Sequence, residues 1–298
     1  MDKWVKRLAG AAMVLVVLGA GAGFAGLQMA EGRMHRKVDV QVQPVAFTTD
    51  AAAVERGRYL FASRGCVDCH GANGGGRTFV DDGAGLKIHG PNITTGTAGV
   101  VASYQPQDWV RTIRHGVAPD GRPLMVMPSE DYNRFTDQDL AALVAFVRSL
   151  PPVAGEPAVV QLPLPARVMY GFGAIQDAAA KIDHTLPPAT PVAEGVNVAH
   201  GAYVANMCLG CHGAQLAGGR IPGGPPDWPA APNLTPGAGT VMVNYREADA
   251  MLRLFRSGKR HDGSAVQVMP FESLREMNET DVRALHLYLQ GLQPRPQG

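Results

Sequence analysis

Apolar positions along the chain fall into one long run followed by short periodic stripes. Leu8 to Ala30 is apolar or small throughout, interrupted only by Gln28, and Lys3, Lys6 and Arg7 precede it. At roughly 23 residues the run is long enough to cross a bilayer, which needs about 20. Residues 38–49 carry no helical period and read as an extended tether. Asp50 then offers a helix cap, with Val54, Leu60 and Phe61 as apolar anchors of a helix to about Ser63. Gln107 to His115 places Trp109, Val110 and Ile113 inward, and Glu247 to Ser257 is its later counterpart. Thr136-Asp137-Gln138-Asp139 caps a helix whose stripe is Leu140, Leu143, Val144 and Val147, stopped by Pro151-Pro152. Asn278 to Asp281, followed by Val282, Leu285 and Leu289, repeats that design. These elements predict an all-α chain.

The recurrences belong to one internal duplication. At an offset of 142 residues, Cys66, Cys69 and His70 fall on Cys208, Cys211 and His212. The same offset lays Met127-Pro128 on Met269-Pro270, Arg111 and Arg114 on Arg253 and Arg256, and Asp139 on Asp281. Small loop shifts bring Pro91-Asn92-Ile93-Thr94 onto Pro232-Asn233-Leu234-Thr235, and Gly57-Arg58-Tyr59 onto Gly201-Ala202-Tyr203. Two domains of about 100 residues follow, an ordinary domain size. The segments read as 1–37 an anchor or signal, 38–49 the tether, 50–152 the first domain, 153–193 a connection and 194–298 the second domain. The connection is too hydrophobic around Val168 to Ile175 for a free linker, and is expected to run across both domains.

The chemistry lies in Cys66-Val67-Asp68-Cys69-His70 and Cys208-Leu209-Gly210-Cys211-His212, which use all four cysteines. C-x-x-C-H is the signature of covalent c-type haem attachment. On a helix the two thiols and the imidazole share a face, so the thiols reach two vinyl groups while the histidine lies beneath the iron. Two C-x-x-C pairs also suit a zinc site, but those pairs lie closer in sequence and need no histidine after each. A dithiol redox motif belongs just ahead of a helix in a βαβ unit, and no such unit is predicted.

These motifs, with the Pro-Asn-(Ile/Leu)-Thr loops, the Met-Pro steps and the closing helices, resemble the class I cytochrome c domain. The tandem arrangement is similar to cytochrome subunits of membrane-bound bacterial dehydrogenases. The resemblance covers about residues 50 to 151 and 194 to 292; a tri-haem subunit would need a third C-x-x-C-H. It implies two domains, each wrapped around a covalently bound haem c, with Pro91 and Pro232 offering their carbonyls to the proximal His70 and His212. It also implies a methionine as sixth ligand. Met125 and Met127 both present themselves; Met125 aligns with Gln267 and Met127 with Met269, which selects Met127 and Met269, each 57 residues beyond its histidine. The closing helix is expected to pack across the first helix of its domain. Arg111, Arg114, Arg253 and Arg256 stand where a guanidinium fork suits a haem propionate, although helix-surface arginines are commonly just solvated. His184 has no counterpart and reads as structural.

Composition adds little: 46% hydrophobic, 18% charged, and a net charge of +1 that gives no reason to expect nucleic acid. Filled axial positions leave no open site, so the reading is an exported di-haem electron carrier and not an enzyme. The resemblance implies a periplasmic dehydrogenase as donor and quinone or an oxidase as acceptor. The alternative is a catalytic di-haem protein of peroxidase type with one displaceable ligand. The apolar run reads as an anchor holding the domains on the periplasmic side of the inner membrane; Ala20-Gly21-Ala22 resembles a signal-peptidase site, and cleavage there would leave a soluble periplasmic protein.

Overall fold

The computed structural model describes residues 3–225 and 227–298. Helix α1 (Lys3–His35) leads, followed by an irregular stretch to Asp50. The first repeat holds α2 (Ala51–Ser63), α3 (Cys66–His70), strands β1 (Arg77–Asp81) and β2 (Lys87–Gly90), α4 (Pro106–His115), α5 (Ser129–Tyr132) and α6 (Asp137–Ser149). The connection contributes β3 (Val159–Gln161) and α7 (Leu164–Gly171). The second repeat holds α8 (Val198–Ala205), α9 (Leu209–His212), α10 (Ala248–Ser257), α11 (Phe271–Leu274) and α12 (Glu279–Gln290).

Each repeat is built on the crossing of its first and last helices, α2 with α6 and α8 with α12. Side-chain caps start all four: Asp50, Thr136, Asn197 and Asn278 each accept from the backbone N–H three residues on, at 2.8–3.0 Å. The crossings need glycine. A β-carbon at Gly57 would lie 1.9 Å from the Ala142 carbonyl oxygen, and one at Gly201 would lie 2.0 Å from that of Ala284. Bare backbone there brings Leu60 and Phe61 against Leu140, Leu143 and Val144, with Trp109, Val110 and Ile113 of α4 closing the core. Val204, Met251, Phe255, Val282, Leu285 and Leu289 form the second core in the same way.

Two expectations change. The chain is not purely helical: β1 pairs antiparallel with β2, and β2 with β3, Ile88 standing opposite Val160. The short apolar runs of these strands show no period, and β3 arrives from the connection. The connection also does not share itself evenly between the repeats. Its hydrogen bonds run to the first repeat, Ala178 N–H to Leu124 and Ala189 N–H to Arg134, and through Asp177 to Arg36 after α1.

Gly57→Ala and Gly201→Ala should each destabilise the protein by about 2 kcal/mol or more, as overpacking against backbone does. Gly32→Ala, with nothing within 4 Å, should leave stability unchanged; thermal unfolding followed by circular dichroism compares the three.

Candidate functional site

The first C-x-x-C-H forms α3, and the second spans a short 3₁₀ turn (Asn206–Cys208) and α9. Gly71 and Gly213, in left-handed φ of 69° and 76°, end both helices directly after the histidine. The chain then turns back so that Gly76 N–H reaches the His70 carbonyl and Gly218 N–H that of His212, both at 2.9 Å.

Each ring then meets a loop proline: His70 Nδ1 lies 3.0 Å from the Pro91 carbonyl oxygen and His212 Nδ1 2.9 Å from that of Pro232. Burial lowers both imidazole pKa values while the carbonyls act to raise them, which favours the neutral ring that ligates metal. The carbonyls are fixed in turn by Asn92 and Asn233. Asn92 Nδ2 donates to Val153 O at 2.9 Å, and Asn233 Nδ2 to Arg295 O at 2.7 Å, so the strand of chain after each closing helix straps its proline loop. These asparagines shape the loop, as their sequence setting implies.

Burial pushes the thiols of Cys66 and Cys208 up to about 12 and that of Cys69 up to about 11, and it raises Cys211 as well. Thiols of that kind are poor nucleophiles, which argues against dithiol exchange. Among the described residues no group of three His, Cys, Asp or Glu side chains gathers to hold a metal ion, so the cysteine pairs do not converge on zinc.

A haem fits what is present. Cys66 and Met127 pack against the first core, and Cys208 and Met269 against the second, so a motif thiol and the candidate sixth ligand share one core in each repeat. Trp109 Nε1 is buried in the first core without a hydrogen-bond partner, a donor for which the described chain supplies no acceptor. Met125 packs against neither core.

Three of the four arginines considered for propionate pairing bond to protein groups. Arg114 donates to Asp137 and to the Phe135 carbonyl, Arg256 to the carbonyl of Met277, and Arg111 to Asp108. Arg114 and Arg256 tie the middle helix of each repeat to the turn before its closing helix, while the Arg111 bond stays within α4. His184 Nδ1 lies 3.0 Å from His115 Nδ1 and pins the connection to α4.

The repeats meet across an approximate two-fold relation built on Asp139 and Asp281. Asp281 accepts from His200 of its own repeat at 2.7 Å, and from Tyr59 (2.6 Å) and Arg64 of the other. Asp139 accepts from its own Arg56 at 2.8 Å and from Tyr203 across the boundary at 2.6 Å. Beside them the attachment helices bond to the segments that follow each Met-Pro. Ser273 Oγ donates to Asp68 at 2.7 Å, and Gly210 N–H to Asp131 at 2.8 Å. Positions 68 and 210, and 131 and 273, are one repeat apart, so the two contacts are equivalent with acid and donor exchanged. Burial pushes the Asp131 carboxyl up to about 8. These contacts were not foreseen, although a recurring aspartate on an apolar-striped helix and the recurring Gly57-x-Tyr59 and Gly201-x-Tyr203 were their signal.

The Cytochrome c family profile matches residues 54–151 and again 198–293. The chain is similar to the "Fructose dehydrogenase cytochrome subunit" of Gluconobacter japonicus, 27% identical over 281 residues, 85% of this chain and 56% of the relative. It is also similar to the "Alcohol dehydrogenase (quinone), cytochrome c subunit" of Gluconobacter oxydans (strain 621H), 28% identical over 280 residues, 84% of this chain and 56% of that protein. A "Diheme cytochrome c-type" protein of Cereibacter sphaeroides is 29% identical over 177 residues, 55% of each chain. The chain thus spans about half the length of the curated relatives it matches.

Arg64 holds the Asp281 carboxyl down at about 2, against an ordinary 3.8 and against the opposing effect of burial. A depressed carboxylate contributes stability in full above its unfolded pKa, and the contribution is lost as pH falls from 3.8 through about 2. Asp281→Asn should flatten that acid limb in unfolding measured against pH. Asp281→Ala, which strands a buried arginine, should cost about 3 kcal/mol at neutral pH.

Proposed function

Because the chain belongs to the cytochrome c family, carrying its domain twice, we propose that it is an exported di-haem cytochrome that relays single electrons. The observation that carries this reading is the interface: each attachment helix is bonded to the segment following the Met-Pro step of the opposite repeat. Two cofactor sites held in that way keep a fixed separation, which a relay needs and two tethered domains would lack. Bound haem c supplies the one-electron Fe(III)/Fe(II) couple.

In this reading the four cysteines would hold two haems, and His70 and His212, with Nδ1 committed to the proline carbonyls, would offer Nε2 to iron. The Pro91 and Pro232 carbonyls accept from Nδ1–H, fixing tautomer and ring orientation and strengthening the imidazole as a ligand. Met127 and Met269 would each supply the further iron ligand, and a thioether in that role would raise the potential. By analogy with the fructose and alcohol dehydrogenase cytochrome subunits, the donor in this reading is a sugar- or alcohol-oxidising dehydrogenase; quinone or an oxidase would be the acceptor. Helix α1, of mean hydropathy 2.1 in its most apolar window and unburied there, serves as an anchor that keeps the haem domains on the periplasmic face. Anchoring would raise the effective concentration of the carrier beside a membrane-bound partner.

A pyridine haemochrome assay should find two haems per chain that survive acid–acetone extraction; freely released haem would defeat the proposal. Met127→Ala or Met269→Ala should each remove half of the long-wavelength methionine–iron absorption band, lower one potential and open one haem to carbon monoxide. Met125→Ala should change none of these. Carbon monoxide binding to the unaltered reduced protein would favour a peroxidase-type enzyme instead.

N-terminal sequencing of the protein purified from its host should return an intact start, with detergent needed for release. A start near residue 23 and haem protein free in the periplasmic fraction would rule out the anchor.

A further inference from the structure

Helix α7 has no role in either cofactor site, yet it crosses α1 backbone to backbone. A β-carbon at Gly171 would lie 1.9 Å from the Gly26 carbonyl oxygen, and one at Gly26 would lie 2.8 Å from Val168 and 2.9 Å from Phe172. On the helical wheel Leu164, Val168 and, at the C-terminal end, Phe172 lie along one face of α7, with Met169 beside Phe172, Arg167 bordering Leu164 and Tyr170 opposite. The apolar face is open: Leu164 is 62% exposed, Met169 48% and Phe172 54%.

The order of contacts along α1 shows which way that face looks. Val168 and Phe172 meet α1 at Gly26. Tyr170 meets Arg33, whose guanidinium carbon lies 5.2 Å from the ring centroid, and Arg36, whose Nη1 is 3.3 Å from its hydroxyl. Seven to ten residues of helix separate these levels, about 10–15 Å along the axis. The apolar edge of α7 therefore faces the apolar run of α1, and its polar edge faces the domains. The polar side is locked in place: Arg36 grips Asp177 at 2.6 and 2.7 Å, Tyr170 donates to Asp177 at 2.8 Å, and Lys37 donates to the Asp120 carbonyl at 2.6 Å. Arg33 and Lys37 add positive charge at this level, where Arg36 is paired with Asp177 and Arg167 lies 3.8 Å from Glu31.

We infer that α7 lies in the outer surface of the membrane, its Leu164–Met169–Phe172 face sunk among lipid acyl chains at the level where α1 emerges. The occupant is lipid because the face continues the unburied apolar surface of the span, Phe24 being 66% and Met29 48% exposed, and because the cations sit at headgroup height above it. A span and a second surface contact, clamped together at Gly26, Asp177 and Asp120, would fix the tilt of the domains on the bilayer where a span alone leaves rotation free. The inference rests on the anchor reading of α1.

The test uses the full, haem-loaded chain in vesicles of phosphatidylethanolamine and phosphatidylglycerol. Leu164→Cys and Phe172→Cys, with Val196→Cys (54% exposed, beside the second repeat) as reference, each carry a nitroxide label. Power-saturation electron paramagnetic resonance then compares relaxation by oxygen, which enters lipid, with relaxation by a water-soluble nickel chelate. The oxygen-to-nickel ratio at 164 and 172 should exceed that at 196 several-fold. Equal ratios in a chain that floats with the vesicles overturn the inference and leave the anchor standing. A chain that does not float overturns both. Labels shielded from both relaxants place a protein surface over α7 and overturn it as well.

Discussion

The two repeats depend on one carboxylate each, placed three residues into the closing helix. Asp139 and Asp281 take part in the helix caps through their own backbone N–H, and each binds a side-chain nitrogen of its own first helix and a tyrosine of the other repeat. A single side chain thereby joins local helix initiation, the helix crossing that makes the core, and the boundary between repeats. Such a group is costly to bury and more costly to strand, so it specifies one docking geometry in preference to others. The second site adds Arg64, itself buried, so the Asp281 side of the boundary carries the more deeply buried ion pair.

Around that frame the candidate ligands are placed by backbone rather than by side-chain packing. A left-handed glycine ends each attachment helix after the histidine, the returning chain caps it, and the proline carbonyl receives the ring. Asn92 and Asn233 transmit the position of the closing helix to that carbonyl by gripping the strap that follows it. Ring orientation is thus coupled to the same helix that carries the interfacial aspartate. A disturbance at the boundary between repeats would reach both histidines by this path.

The duplication is not a simple copy. Among the described residues only the first repeat carries a β1–β2 hairpin, and the connection adds β3 to it before fastening through Asp177 to Arg36, just after α1. The first repeat is accordingly the one tied to the N-terminal helix, and the second is held chiefly by the shared interface. Tilt of the whole assembly on a membrane, in the proposed reading, is set through the first repeat.

Much was legible from residues alone, because its causes are local. Cap residues, apolar stripes and the proline stop placed α2, α4, α6, α10 and α12 within a residue or so, since each depends on neighbours three or four positions away. The offset of 142 selected Met127 over Met125, because a duplicated chain repeats its chemistry even where its packing is unseen. Only the tertiary structure decided the rest. Whether Arg114 points to a cofactor or to Asp137, whether Asp281 meets Tyr59, and whether β3 joins β2 are matters of groups brought together from opposite ends of the chain. Nothing in a local pattern distinguishes a buried partner from a solvated face; that follows from which surfaces the helix crossings at Gly57 and Gly201 bring into contact.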